Sequence, residues 1–254
     1  MRFVAGAVFL LSVLACAPVA RAEKAVVAVA ANFLEVAQTL APLFEQESGH
    51  AVSFAVGSTG KLYAQILHGA PFDVLLAADR ERPSRLVQEG PGVPGTQFTY
   101  AIGILTLWSA DAALLTDNAA SVLASDKVQH VAMADPALAP YGLAAQQVVA
   151  RLPRSDLISG KIVLAPDIGG VFTLVATGNA QAGFVALSSV LSPRNPNAGS
   201  RWDIPANLYA PVRQDAVLLR HGERNAAAIA FLSFLRSPAA QTVIRTRGYR
   251  LTTD

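Results

Sequence analysis

The sequence holds one cysteine, few charged residues and no cluster of basic residues. The cysteine, Cys16, lies in an apolar N-terminal segment, so the rest of the chain has no disulfide, no thiolate nucleophile and no cysteine metal site. The four histidines are scattered, and none has the spacing of a helical metal pair. With 15% charged and 52% hydrophobic residues, the composition excludes a disordered chain. The absence of basic runs leaves no electrostatic footprint for nucleic acid or for an anionic membrane surface.

The N-terminus has the pattern of a secretory signal peptide. A short basic start precedes an almost unbroken apolar run over residues 3–15, and Ala20-Arg21-Ala22 has the small-x-small form of a cleavage site. We interpret residues 1–22 as a signal peptide and not as an uncleaved anchor, because the run is shorter than the roughly 20 residues that span a bilayer. Val13-Leu14-Ala15-Cys16 resembles, more loosely, a lipoprotein box, which would make Cys16 a lipid anchor.

Removal of this segment changes the charge of the chain. Arg2 and Arg21 leave with it, so the formal charge of +2 becomes 18 basic against 18 acidic residues in the remaining 232. A neutral chain of this length is long enough to bury one large core or two small ones.

Short β-like runs alternate with helix-like segments along the chain, which predicts a parallel α/β architecture. Pro42 lies inside an apolar helical pattern and is expected to kink that helix or break it. The apolar run Tyr100–Trp108 is predicted as a strand that leaves one lobe and enters another, and the polar segment 192–205 as a loop. The tail, Ala226 to Thr246, is predicted as a helix pair divided at Ser237-Pro238. We predict a signal peptide at 1–22, a first lobe from 23–102 and 209–254, and a second lobe from 103–208.

Three strand-to-helix junctions could carry chemistry. Asn32, with Glu35 three residues later as in a capping box, follows the first predicted strand; Ser58 follows the second; and Asp167 precedes two glycines and a helix. Helix starts bind anions through unpaired backbone N–H groups and the positive end of the helix dipole. The alternative is that each of these residues only caps its own helix.

Enzymatic alternatives have weaker support. A phosphate-binding P-loop fails because Ala55 replaces its first glycine and Leu62 follows Lys61. Ser58-Thr59-Gly60-Lys61 does match the S-x-x-K box of penicillin-recognising serine hydrolases, but no S-D-N or K-T-G follows. We therefore assign no catalytic residue and keep the hydrolase as a remote alternative.

Six blocks along the chain, in this order, resemble the periplasmic molybdate-binding proteins of ABC transporters. The blocks are Ala30-Ala31-Asn32-Phe33; Gly57-Ser58-Thr59-Gly60-Lys61-Leu62; Gly69-Ala70-Pro71-Phe72-Asp73; Ala134-Asp135-Pro136 with Ala139-Pro140-Tyr141-Gly142; Ala176-Thr177-Gly178-Asn179-Ala180 with Gly183-Phe184-Val185-Ala186-Leu187; and Phe234-Leu235-Arg236-Ser237-Pro238 with Gly248-Tyr249. Together they span nearly the whole chain after the signal.

The resemblance implies a two-lobe type II periplasmic binding fold, in which each lobe is a mostly parallel sheet flanked by helices and the ligand lies in the cleft between the lobes. It implies a periplasmic, monomeric, non-enzymatic receptor that delivers molybdate or tungstate to a membrane permease. No cofactor is implied, and no metal other than the molybdenum of the bound oxyanion.

The resemblance also assigns site residues. These are Asn32 and Ser58 in the first lobe, Tyr141 and Val171 in the second, mainly through backbone N–H, with Ala31 and Thr59 as additional candidates. The sequence departs from many relatives at two positions. Asn32 stands where serine is common, and Ala186 falls where some members place a ligand-binding tyrosine, so no tyrosine hydroxyl contact is expected there.

The donor chemistry of these residues agrees with this assignment. None of them is Asp or Glu, so hydrogen phosphate would bury its own proton without an acceptor, at a cost of about 1–3 kcal/mol. Molybdate, tungstate and sulfate carry no such proton. A receptor for another tetrahedral oxyanion such as sulfate therefore remains an alternative.

Overall fold

The computed structural model describes residues 22–115 and 119–252, so the predicted signal peptide, with Cys16 and apart from Ala22, lies outside the described residues. Within these ranges ten strands form two five-stranded sheets. The strands are β1 Lys24–Ala30, β2 Ala51–Gly57, β3 Val74–Leu76, β4 Phe98–Gly103, β5 Leu105–Ser109, β6 Val131–Ala134, β7 Ile162–Ala165, β8 Ala182–Ala186, β9 Ser200–Asp203 and β10 Val212–Leu218.

Helices cover both sheets. They are α1 Leu34–Ser48, α2 Thr59–Leu67, α3 Glu81–Glu89, α4 Ala119–Ala124, α5 Pro140–Arg151, α6 Ser155–Ser159, α7 Ile168–Ala176, α8 Leu187–Val190, α9 Ala226–Phe234 and α10 Pro238–Thr246.

The two sheets have the same topology. Their strand orders are β2-β1-β3-β10-β4 and β7-β6-β8-β5-β9. In each sheet four strands run in one direction and a single strand, β10 or β5, runs against them. The predicted two-lobe α/β fold with mostly parallel sheets is confirmed. Because the carboxyl ends of parallel strands lie at one edge of a sheet, each lobe presents several helix starts at a single edge.

The helix α1 shows how packing overrides a local signal. Its apolar stripe, which includes Leu40 and Phe44, is fully buried against the first sheet. The expected break at Pro42 is wrong, because α1 is continuous through it. Proline has no backbone N–H, so the Gln38 carbonyl has no hydrogen-bond donor at position 42. Both residues face solvent, where water can bond to that carbonyl. The helix ends at Gly49, whose φ of 71° is the left-handed conformation that glycine adopts readily.

Two segments differ from their predictions. The run Tyr100–Trp108 is two strands, because β4 ends at Gly103 in the first sheet and β5 begins at Leu105 in the second. The predicted loop 192–205 contains the edge strand β9, which pairs with β5. This strand is short and only partly buried, so its sequence has no apolar run that would predict a strand. We propose 23–102 with 209–254, and 103–208, as the two lobes.

Aromatic side chains fill the two cores. In the first lobe the rings of Phe44 and Phe231 meet edge to face with centroids 5.2 Å apart. In the second, the fully buried Trp108 stacks on Phe172 at 4.9 Å.

The C-terminal segment forms the predicted helix pair, divided at Ser237-Pro238 into α9 and α10. Among helices of the described ranges, none alone has the length and apolar composition of a membrane span. Taken together, α9 and α10 have that length and composition, but a bend of 63° separates the two helices.

Gly142 tests how closely α5 packs on the second sheet. A Cβ at this position would overlap the backbone carbonyl of Ala134 on β6. We therefore expect Gly142→Ala to lower the free energy of unfolding by about 1–3 kcal/mol in urea denaturation. The control is Gly160→Ala, where a Cβ would meet its nearest atom at an ordinary 3.7 Å. Equal stability of the two variants would contradict this account.

Candidate functional site

A small cavity lies where the helix starts of the two lobes meet. Its empty space, part of it open to solvent, is about 210 Å³, and the volume that can hold the centre of a water-sized sphere is about 10 Å³, far below the roughly 300–1,000 Å³ of sites for drug-sized molecules. Its lining residues are Ala30, Ala31, Asn32, Gly57, Ser58, Thr59, Ala78, Ala139, Pro140, Tyr141, Asp167 and Ile168. None of these twelve residues is Lys or Arg. The cavity therefore suits a ligand of a few atoms.

Four helix starts border this cavity. The first lobe contributes α2 and a short 3₁₀ turn, Ala31–Phe33, that leads into α1, and the second lobe contributes α5 and α7. A helix start leaves its first backbone N–H groups unpaired and carries the positive end of the helix dipole. These four starts together favour an anion without a positively charged side chain.

Ser58 is the N-cap of α2 and is 4% exposed. Its Oγ accepts the Lys61 backbone N–H at 3.4 Å, which leaves the hydroxyl proton for an acceptor in the cavity. The neighbouring Thr59 hydroxyl accepts the Ala78 N–H at 3.0 Å and so ties α2 to the end of β3. Ser58 thus offers a side-chain donor and Thr59 a backbone N–H.

The S-x-x-K alternative gains no support from this geometry. Lys61 is exposed, whereas Ser58 is buried, and the recorded contact between them is through the Lys61 backbone. In hydrolases of this type the lysine side chain is one candidate for the base that activates the serine.

Asn32 plays a different part from the one predicted. Its Nδ2 donates to Gln214 Oε1 at 2.8 Å and to the Tyr249 hydroxyl at 3.1 Å. The Tyr249 hydroxyl in turn donates to the Asn32 backbone carbonyl at 2.6 Å. Because the single Tyr249 proton is used there, its oxygen must accept from the Asn32 amide, which fixes the orientation of that amide.

Both side-chain N–H groups of Asn32 are therefore occupied by protein. The donors that remain for the cavity at this helix start are the backbone N–H groups of Ala31 and Asn32. The predicted capping box is wrong, because Ala30 is the N-cap and Glu35 pairs with Arg247 at 3.3 Å.

A buried hydrogen-bond network extends from Asn32 into the second lobe. Gln214, fully buried on β10, also accepts from the Tyr100 hydroxyl at 3.0 Å and donates its Nε2–H to the Tyr141 hydroxyl at 3.1 Å. Burial raises the pKa of Tyr141 well above its usual range, and that of Tyr249 to about 12, so both phenols stay neutral. The network connects two cavity residues, Asn32 and Tyr141, through their side chains.

Tyr141 consequently faces the cavity with its backbone. It is the second residue of α5, and the first intrahelical bond runs from Leu143 N–H to Ala139 O at 3.1 Å. The backbone N–H groups of Tyr141 and Gly142 precede that bond and have no acceptor within the helix. Its phenol is directed to Gln214.

Val171 does not occupy the predicted position. Its N–H donates to the Asp167 carbonyl at 3.3 Å, and it is not a lining residue. Asp167 is the N-cap of α7 and its Oδ1 accepts the Gly170 N–H at 2.9 Å, so the unpaired N–H groups belong to Ile168 and Gly169. We replace Val171 by Ile168, which lines the cavity; counting from Asp167 as the cap would have found it in the sequence.

The comparisons with known proteins agree with this geometry. A family model for bacterial extracellular solute-binding proteins matches residues 25–250. The chain is 47% identical over 245 residues to the molybdate-binding protein ModA of Rhodobacter capsulatus, covering 96% of this chain and 95% of the relative. The periplasmic molybdate-binding protein of Azotobacter vinelandii is similar in structure, with a TM-score of 0.83 and 39% identity over 89% of this chain and 99% of that one.

A more distant neighbour shares only the fold. The sulfate-binding protein SubI of Mycobacterium tuberculosis H37Rv has a TM-score of 0.74 at 15% identity, covering 91% of this chain and 87% of that one. The chain belongs to the family of bacterial extracellular solute-binding proteins, and its predicted resemblance to the periplasmic molybdate-binding proteins is confirmed.

Tyr249 tests the buried network. Tyr249→Phe leaves an Asn32 N–H without its partner and leaves the Asn32 carbonyl only the Ser188 hydroxyl at 3.3 Å, so we expect a loss of about 1–3 kcal/mol in urea denaturation. The control is Tyr63→Phe, which removes a hydroxyl from Glu89, a carboxylate that remains partly in water, and we expect a smaller loss. Equal losses of stability in the two variants would show that the buried network stabilises the fold no more than the Tyr63–Glu89 hydrogen bond does.

Proposed function

We propose that this protein captures molybdate in the periplasm and delivers it to the permease of an ABC importer. The observation that carries the proposal is the meeting of four helix starts, two from each lobe, at one small cavity without Lys or Arg. Relatives named as molybdate-binding proteins support the choice of ligand.

The proposed donors are the Ser58 hydroxyl and unpaired backbone N–H groups. The backbone donors are those of Ala31, Asn32, Thr59, Tyr141 and Ile168. Such a set suits an oxyanion that has only acceptors. Asp167 also lines the cavity; its Oδ1 accepts the Gly170 N–H, and a carboxylate can accept further hydrogen bonds, so it is the one lining side chain that could take the proton of hydrogen phosphate as a carboxylate.

Chemistry alone does not distinguish molybdate from tungstate or sulfate, since all three are tetrahedral dianions. We include tungstate as a second ligand because it has the same charge and shape. For molybdate over sulfate, the support is the 47% identity to a molybdate-binding protein, against 15% to the sulfate-binding one.

The remaining parts of the proposal follow from this role. The protein would act as a monomer without cofactor or catalytic residue, secreted through the signal at 1–22 and not held by a lipid at Cys16. Closure of the two lobes around the anion would make the loaded state recognisable to the permease.

Titration calorimetry with molybdate, tungstate, sulfate and phosphate tests the ligand. We expect tight binding of the first two and weaker binding of sulfate and of phosphate, whose proton has only the Asp167 carboxylate as a charged acceptor among the lining residues. Tight sulfate binding without molybdate binding would instead make the protein a sulfate receptor with the same fold. Acylation of Ser58 by a penicillin-type reagent would support the hydrolase.

Ser58 tests the site itself. Ser58→Ala removes the side-chain donor, and we expect molybdate affinity to fall by about tenfold or more, as for the loss of one charge-assisted hydrogen bond. The matched control is Ser53→Ala on β2, the strand that precedes Ser58; its hydroxyl makes a long contact of 3.5 Å with the Ala25 carbonyl. Both variants should remain folded, although Ser58→Ala also loses the cap of α2 and should be less stable than wild type by about 0.5–2 kcal/mol. Unchanged affinity in Ser58→Ala would remove Ser58 from the binding site.

A further inference from the structure

Two residues of the first lobe contact the loop that leads into α5 in the second lobe. The Gly60 N–H donates to the Leu138 carbonyl at 2.9 Å, and Arg82 Nη2 donates to the Ala137 carbonyl at 3.0 Å. Neither Gly60 nor Arg82 lines the cavity. The two carbonyls directly precede Ala139, Pro140 and Tyr141, which do.

Arg82 is held in place for this contact. Asp79 accepts the Arg82 backbone N–H at 3.0 Å with one oxygen and Arg82 Nη1 at 2.5 Å with the other. The side chains of Asp79 and Arg82 are only 18% and 21% exposed. A guanidinium has donors on two sides, so one side is fixed by Asp79 while the other reaches across the cleft.

A contact outside α2 explains why position 60 is a glycine. It is the second residue of α2, where alanine is intrinsically more favourable and where no positive φ requires glycine. A Cβ at Gly60 would, however, lie 2.9 Å from the Leu138 carbonyl oxygen and 3.1 Å from its Cα. The residue thus opposes local helix propensity and permits a close approach between the lobes.

We propose that Gly60 and Arg82 are positioning residues of the anion site: they hold the start of α5 against the first lobe and slow the release of bound anion. The inference rests on the proposed function for its ligand. It extends the site beyond the residues that touch the cavity, because the contacts at Ala137 and Leu138, just before α5, position the Tyr141 N–H.

Gly60→Ala is the sharpest test. We expect molybdate affinity to fall at least tenfold, mainly through faster dissociation in stopped-flow measurements. The thermal unfolding temperature of the ligand-free protein should change little, because the helix propensity that alanine adds to α2 offsets part of the cost of crowding Leu138. A merely structural glycine would instead lower that temperature and leave the dissociation rate unchanged. The control Gly160→Ala should change neither quantity.

Arg82→Gln tests the second contact, with Arg85→Gln as its control on the same helix. Arg85 makes an exposed ion pair with Glu89 at 3.2 Å and lies outside the cleft. We expect a three- to tenfold rise in the molybdate dissociation rate for Arg82→Gln alone. Wild-type dissociation rates in both Gly60→Ala and Arg82→Gln would overturn the proposal.

Hydrogen exchange separates this inference from the proposed function. The Gly60 amide is bonded to Leu138, so in Arg82→Gln the backbone amides of 58–62 should exchange faster than in wild type, and in Arg85→Gln they should not. A wild-type chain that binds none of the four oxyanions would refute the function, while this ligand-free measurement would still decide on the contact. Equal exchange in all three proteins would refute the contact.

Discussion

An unpaired backbone N–H needs an acceptor, and the proposed binding site depends on this constraint. Each of the four helix starts at the cavity leaves such groups, and none of the lining residues adds a positively charged side chain. An anion placed there is stabilised by fixed dipoles, whose effect falls off within one helical turn. Because each lobe supplies two of the four starts, the full set of donors exists only when both lobes border the cavity. Binding and the arrangement of the lobes are therefore coupled.

Donors that act through geometry must be held rigidly, and the buried network behind the cavity serves this need. The Asn32 amide donates to Gln214 and Tyr249 and not to the cavity, and Gln214 continues to Tyr141 in the second lobe. Each of these polar groups is buried, so the loss of any partner would leave another unsatisfied in a medium of low dielectric constant. At the proposed site Asn32 would therefore bind through its main chain, and its side chain would hold that main chain in place.

Local patterns predicted the alternation of strands and helices, the cap at Ser58 and the helix pair divided at Ser237-Pro238. Features set by distant contacts were not predictable in this way. Gln214 lies 182 residues from Asn32, and no local signal connects them. Val171 was assigned through the family resemblance and not from a local pattern; because Asp167 caps α7, the unpaired N–H groups belong to Ile168 and Gly169. The continuity of α1 through Pro42 depends on burial of its opposite face, which sequence periodicity does not weigh against the proline.

The fold alone does not determine which tetrahedral oxyanion a protein of this kind binds. A sulfate-binding protein of 15% identity has the same fold, so the fold and its helix starts do not by themselves choose among tetrahedral dianions. Backbone N–H groups are also chemically alike, and they differ in effect only through their positions. The distance between the donors of one lobe and those of the other is determined by contacts between the lobes, such as Gln214 with Tyr141 and Gly60 with Leu138. If the protein binds an oxyanion as proposed, we expect residues that do not touch the anion to contribute to its selection by radius.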